Sequence, residues 1–329
     1  MPTSHSDKKL VVITGGDPRG IGPEVILKAL RKLPRTKKFI PLVIGDYEVF
    51  QNVARALKID ADSLIRPVGR AANFIDLNNF SRPAKKKFRS NNADRLSGKA
   101  SIEYILRAIV IVKSDRRASI VTAPINKAAI NNAGYKWSGH TELFSDITGY
   151  KKITMMLTGG PLKVSLATRH LPLGEAVREL SKEKIITAAE NTHYALKKFF
   201  RIRYPKIGIA SLNPHAGESG LLGKEEGRVI RPAVAYLNKR IKGISGPFPA
   251  DTLFYKAYRK EFDAVVCMYH DQGLIPLKMV AFERGVNLTI GLPFIRTSPD
   301  HGTGFDIAGK GTADPSSMIE AIKLAVRLA

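Results

Sequence analysis

The chain has 329 residues, 44% hydrophobic and 25% charged, which suits a globular protein with a core large enough for two domains or lobes. No apolar run approaches the roughly 20 residues that cross a bilayer, so no membrane partner is expected; one cysteine, Cys267 in an apolar run, leaves no intrachain disulfide or cysteine-based zinc site. The net charge of +24 is spread along the chain, with clusters such as Ala84 to Ser90 and Lys197 to Arg203. It has no basic tail and no nucleic-acid module, which favours a solvated basic surface over a nucleic-acid role and suits an anionic small substrate.

The N-terminus is a short polar tail leading straight into a strand, without a signal-peptide layout, and the expected compartment is the cytoplasm. Strand-like runs then alternate with helical patterns: KKLVVITGG with GPEVILKALRKL, FIPLVIGD with YEVFQNVARALK, RASIVTAPI with NKAAINNAG. This alternation predicts an α/β fold with a mainly parallel sheet. Ile75 to Lys99 is polar and poorly patterned, and reads as a surface excursion. KITMMLTGGPLKVSLATRH reads as a hairpin turning at Gly159-Gly160-Pro161. Helices are expected at Ser181 to Phe200, at Glu225 to Arg240, and at the C-terminus, where Asp314 or Ser316 is the N-cap with Pro315 in the first turn.

Three strand-like segments end in histidine: LKVSLATRH at His170, KIGIASLNPH at His215 and DAVVCMYH at His270. Ligands in open α/β sheets sit beyond the carboxyl ends of strands. If these strands are neighbours, their ends bring three imidazoles to one place, a ligand set for a catalytic divalent metal. TGGDPRGIGPE is either a ligand loop or a tight strand-to-helix turn, and it matches neither a dinucleotide fingerprint nor a P-loop. WSGHTELF places His140 and Thr141 at a helix start, with Thr141 a possible cap. Lys278, Asn287 and Arg296 lie around short strands, where Lys and Arg suit a phosphate or carboxylate. His193 and His5 carry no functional reading.

Taken together, GDPRGIGPE, SGHTELF, ATRHLPL, NPHAGE, GPFPADTLF, YHDQGL and GVNLTIGLPFIRTSPDHGT resemble the 4-hydroxythreonine-4-phosphate dehydrogenase family of vitamin B6 biosynthesis. The resemblance runs from the first strand to the last helix and is weak only around residues 60–100. HGTGFDIAGKGTADPSSMIEAI also resembles a region of isocitrate and isopropylmalate dehydrogenases, which implies a two-domain fold of that kind rather than a Rossmann fold. The implied domains are residues 1–125 with 280–329, on the cofactor side, and 126–279, with the metal site and dimer contacts.

The resemblance implies NAD- or NADP-dependent oxidation of 4-phosphooxy-L-threonine, followed by decarboxylation to 3-amino-2-oxopropyl phosphate. It implies one divalent metal (zinc, magnesium or cobalt) on His170, His215 and His270, and substrate contacts from His140, Thr141, Lys278, Asn287 and Arg296. It also implies a homodimer with the site at the interface, and a cofactor loop at Asp300, His301, Gly302 and Thr303. Gly16 and Gly304 depart from the family pattern. Asp251 and Asp271 are the candidates for the base that takes the hydroxyl proton; either could instead orient a metal-bound histidine. Rival readings are a sister dehydrogenase acting on D-threonate or D-erythronate 4-phosphate, a metal-dependent hydrolase of a phosphorylated metabolite, and a nucleic-acid-binding protein.

Overall fold

The computed structural model describes residues 8–34, 38–67, 72–80, 94–115, 117–137 and 139–329. His5 and the basic stretch 84–90 lie outside the described residues. In chain order the strands are β1 (Lys9–Thr14), β2 (Phe39–Gly45), β3 (Phe74–Asp76), β4 (Ser119–Thr122), β5 (Thr154–Gly159), β6 (Leu162–Leu166), β7 (Ile207–Ala210), β8 (Ile244–Phe248), β9 (Ala264–Cys267), β10 (Val286–Ile290) and β11 (Arg296–Pro299). The helices are α1 (Gly22–Lys32), α2 (Tyr47–Ala56), α3 (Arg95–Ser114), α4 (Lys127–Asn132), α5 (His140–Thr148), α6 (Leu173–Glu179), α7 (Lys182–Lys198), α8 (Arg231–Asn238), α9 (Ala250–Tyr258), α10 (His270–Ala281) and α11 (Ser316–Leu328). No helix among the described residues is long and apolar enough to cross a membrane.

The chain divides into two compact units, Met1–Ile147 with Pro293–Ala329, and Thr148–Leu292. In the first unit the strands run β3-β2-β1-β4-β11, all parallel. Val11, Val12 and Ile13 of β1 are wholly buried, as in a strand covered on both faces. Each such side chain contributes about 1.5–3 kcal/mol by leaving water. In the second unit the order is β10-β5-β6-β9-β7-β8. The hairpin β5–β6 and the pair β10–β5 are antiparallel, while β6, β9, β7 and β8 run parallel. The α/β class with mainly parallel strands is as the alternation predicted.

The units are cut after residues 147 and 292, rather than after 125 and 279. Helix α4 packs on α3, and Phe144 of α5 meets Phe294 edge to face at 6.1 Å, which keeps 126–147 in the first unit. Pairing of β10 with β5 keeps 286–290 in the second.

Several local expectations are corrected. Arg95 to Lys99, read as part of a surface excursion, opens the 20-residue helix α3, capped by Asp94, whose side chain accepts from the Ser97 N–H at 2.7 Å. The helix expected over 225–240 is a π-helical turn, Glu226–Ile230, followed by α8, whose first turn holds Pro232. Pro315, not Asp314 or Ser316, is the capping position of α11, because Asp314 accepts from the Ser316 N–H at 3.0 Å one step outside the helix. The helix expected over Ser181 to Phe200, by contrast, is present as α7, with Ser181 as its N-cap, the hydroxyl accepting from the Lys184 N–H at 3.3 Å.

Candidate functional site

Because β6, β9, β7 and β8 are parallel neighbours, their carboxyl ends share one edge of the second unit. The segments leaving that edge carry His170 after β6, His270 as the first residue of α10 after β9, and His215 after β7. Asp251, in the first turn of α9 after β8, leaves the same edge. The local sequence explains the placement of α10. A side chain at Gly273 would put its Cβ 2.4 Å from Val164 Cγ1 and 3.1 Å from Cys267 Sγ, so only glycine lets this helix press onto β6 and β9. Cys267 itself is buried, and burial pushes its thiol pKa up, which makes it a packing residue rather than a nucleophile.

His170 and His270 come together, with ring centroids 5.0 Å apart and planes tilted by 46°. Nδ1 of His270 lies 2.7 Å from a carboxylate oxygen of Asp271. When that nitrogen carries the proton and donates it to Asp271, the lone pair of Nε2 is left for a Lewis acid. His215 stands exposed on a left-handed turn: His215, Ala216, Glu218 and Ser219 have φ of 52°, 54°, 39° and 56°. Non-glycine residues there cost on the order of 1–2 kcal/mol each. Among the described residues, no group of three or more His, Cys, Asp or Glu side chains is gathered to hold a metal. The described chain therefore assembles a pair of imidazoles with an orienting carboxylate, and it carries the third imidazole on the adjacent strand's loop. By donor chemistry this set suits a borderline divalent ion.

Two residues that the sequence reading missed tie these segments together. Gln272 accepts from the Met268 N–H at 2.8 Å and donates to the Ser211 carbonyl at 2.6 Å, so it clamps the end of β9 to the end of β7. Glu226, 2% exposed, accepts from the N–H groups of Leu212 at 2.9 Å and Asn213 at 2.7 Å. The only hint in the sequence is a pair of carboxylates, Glu225-Glu226, shortly after NPHAGE. Thr168 completes the edge by donating to the Met268 carbonyl at 2.7 Å. Asp251 is exposed and accepts from the Thr252 N–H at 2.7 Å.

Of the expected substrate residues, His140, Thr141 and Arg296 belong to the first unit, and Lys278 and Asn287 to the second. Arg296, the first residue of β11, is 1% exposed. It donates to the Thr122 hydroxyl at 2.6 Å, and its guanidinium lies 5.5 Å from the centre of the Phe144 ring. Burial lowers its pKa to about 9. His140 stacks on the same Phe144 ring at 6.5 Å, and its Nε2 is buried without a hydrogen-bond partner among the described residues. Burial first, and then the Arg296 charge, hold His140 well below the usual imidazole range, so it is neutral at physiological pH. Thr141 lies inside the first turn of α5 rather than capping it. In the second unit, Asn287 of β10 has a buried Oδ1 with no partner among the described residues, and Lys278 sits on α10 with its ammonium 5.7 Å from the Phe282 ring centre.

The loop at Asp300, His301, Gly302 and Thr303 packs within the first unit. The Thr303 carbonyl accepts from the Ile21 N–H at 2.8 Å, and the Asp300 N–H donates to Ser317 at 3.0 Å. His301 Nδ1 lies 3.0 Å from the Gly302 carbonyl, and its Nε2 is buried without a partner among the described residues. The loop 14–24 is a tight strand-to-helix turn. Its N–H groups at Asp17, Arg19, Gly20 and Ile21 are already engaged by Pro124, by Asp17 and by Thr303, which leaves those four unavailable to an anion.

The family described as pyridoxal phosphate biosynthetic protein PdxA matches residues 37–325. A 4-hydroxythreonine-4-phosphate dehydrogenase from Desulforapulum autotrophicum is 43% identical, covering 97% of this chain and 95% of that one. A D-threonate 4-phosphate dehydrogenase from Cupriavidus necator is 42% identical, with 97% of each covered. The crystal structure of a 4-hydroxythreonine-4-phosphate dehydrogenase from Klebsiella pneumoniae superposes with a TM-score of 0.86, at 36% identity and 99% coverage of both chains.

Proposed function

The chain belongs to the PdxA family, and from that premise we propose that it oxidises the C3 hydroxyl of 4-phosphooxy-L-threonine with NAD or NADP, the resulting β-keto acid losing carbon dioxide to give 3-amino-2-oxopropyl phosphate. The observation that carries this reading is the placement of His170, His270 and His215 at the ends of three adjacent parallel strands, with the first two side by side. These three would hold one divalent ion (zinc, magnesium or cobalt), which when bound supplies Lewis-acid polarisation of the substrate hydroxyl and of the ketone that replaces it.

The chain's own residues do the rest. Arg296 offers a planar, buried guanidinium to the phosphate, and a dianion offsets the desolvation that depresses its pKa. Lys278 adds a second cation, while Thr141 and neutral His140 add hydrogen bonds to oxygen. The buried Oδ1 of Asn287, without a partner among the described residues, would serve as an acceptor for a substrate N–H or O–H. Asp271 is engaged with His270 and orients it, which leaves Asp251 to take the hydroxyl proton. Asp300, His301, Gly302 and Thr303, tied to α11 by the Asp300–Ser317 hydrogen bond, would contact the nicotinamide cofactor. The enzyme works as a homodimer in the cytoplasm, with residues of both subunits in each site.

The second reading is oxidation of D-threonate 4-phosphate, favoured by relatives of that name at comparable identity. Measuring carbon dioxide release against nicotinamide reduction tests the reaction. A one-to-one ratio with 4-phosphooxy-L-threonine supports it; reduction without carbon dioxide would mean an enzyme that stops at the ketone.

A further inference from the structure

We infer that Glu226 is a positioning residue for His215, holding the loop that presents this imidazole; the inference rests on the three-histidine reading above. The carboxylate reaches both flanks of His215. On the N-terminal side, one oxygen accepts from the N–H groups of Leu212 and Asn213, at 2.9 and 2.7 Å, and the other from the Asn213 side-chain amide at 2.9 Å. On the C-terminal side it lies against Gly217, where a Cβ would stand 2.6 Å from its oxygen. The Asn213 amide is also held by Glu225 at 2.8 Å.

Between these anchors the backbone runs through left-handed conformations at His215, Ala216, Gly217, Glu218 and Ser219. L-residues keep such a shape only where their surroundings over-determine it. A carboxylate that is 2% exposed and bonded to loop N–H groups is a costly core residue compared with an apolar one. What it accomplishes is to fix this turn. Gln272 then ties the base of the same loop, through the Ser211 carbonyl, to the segment that carries His270.

The test is cobalt(II) binding by the full chain, measured by competition with a metallochromic chelator. The unsubstituted protein should bind, and His170→Ala should bind far more weakly. Glu226→Ala should lose about 10- to 100-fold in affinity, the range for partners that orient metal ligands. Glu226→Gln, which keeps an oxygen for the Leu212 and Asn213 N–H groups, should recover most of it. In a His215→Ala background, Glu226→Ala should cost nothing further. If Glu226→Ala does not fold, Asn213→Ala carries the same cycle, with about a tenfold loss expected. A folded Glu226→Ala with unchanged affinity, or an equal loss when His215 is absent, overturns the positioning role alone. A parent protein that takes up no cobalt overturns the metal reading and this role with it.

Discussion

His170 and His270 stand at the ends of adjacent parallel strands with ring centroids 5.0 Å apart, and the His270 Nδ1 is held 2.7 Å from Asp271. Removing the carboxylate frees the ring to rotate and to change tautomer. Asp271→Ala should therefore weaken divalent-metal binding by about 10- to 100-fold, while His270→Ala abolishes both binding and turnover. Isothermal titration with cobalt(II) reads the first, and nicotinamide reduction reads the second. Full turnover by a demetallated His270→Ala protein would show that the imidazole pair is not a ligand set.

Arg296 is buried against Phe144 and Thr122. An ammonium cannot reproduce the two parallel hydrogen bonds that a guanidinium gives a phosphate. Arg296→Lys should lose about 2 kcal/mol, roughly thirtyfold in kcat/KM. The loss should nearly vanish with a substrate lacking the phosphate. Equal losses on both substrates would assign Arg296 a structural role.

Much of the fold was legible because β1, β4 and β9 are apolar runs followed by turn residues, the pattern of strands buried on both faces. The histidine edge was legible for the same reason, since each His follows such a run. Helix α3 was not. Its buried positions include Ser97, Gly98 and Ser101, because α4 packs so closely that a Cβ at Gly98 would lie 2.0 Å from the Ala129 carbonyl, and small residues hide a helical stripe. Glu226 and Gln272 escaped because their roles depend on contacts with loops from other strands, which no spacing along the chain records.

Ile275, Met279 and Phe282, on α10 and just beyond it, are 60%, 85% and 74% exposed. The proposed homodimer would cover this exposed apolar stripe with a second copy of the chain. Met279→Asp should convert a dimer into a monomer in size-exclusion chromatography with light scattering, and activity should fall with it. A parent protein that is monomeric and fully active would refute the dimer.

Two buried groups give opposite pH slopes. Burial raises Asp17 from 3.8 to about 6, partly countered by bonds from the Arg19 N–H and the Ser97 hydroxyl. Its contribution to stability is full below the unfolded value and is lost as pH rises through 6. Asp17→Asn should be more stable at neutral pH by up to about 3 kcal/mol, with a flatter profile between pH 4 and 6. His140 is depressed below 6.5, so its contribution is full above that value and is lost as pH falls through the folded pKa. His140→Gln should flatten the acid side. Thermal unfolding across pH checks both, and parallel curves for parent and variants would contradict the assignment.

The most direct test of the proposed reaction is turnover of 4-phosphooxy-L-threonine, D-threonate 4-phosphate and D-erythronate 4-phosphate, each with NAD and with NADP, before and after chelation. The proposed function predicts reduced nicotinamide and carbon dioxide from 4-phosphooxy-L-threonine at the highest kcat/KM, lost with the chelator and restored by a divalent ion. Turnover that needs no nicotinamide, survives complete metal removal, or is fastest on D-threonate 4-phosphate would contradict the proposed reaction.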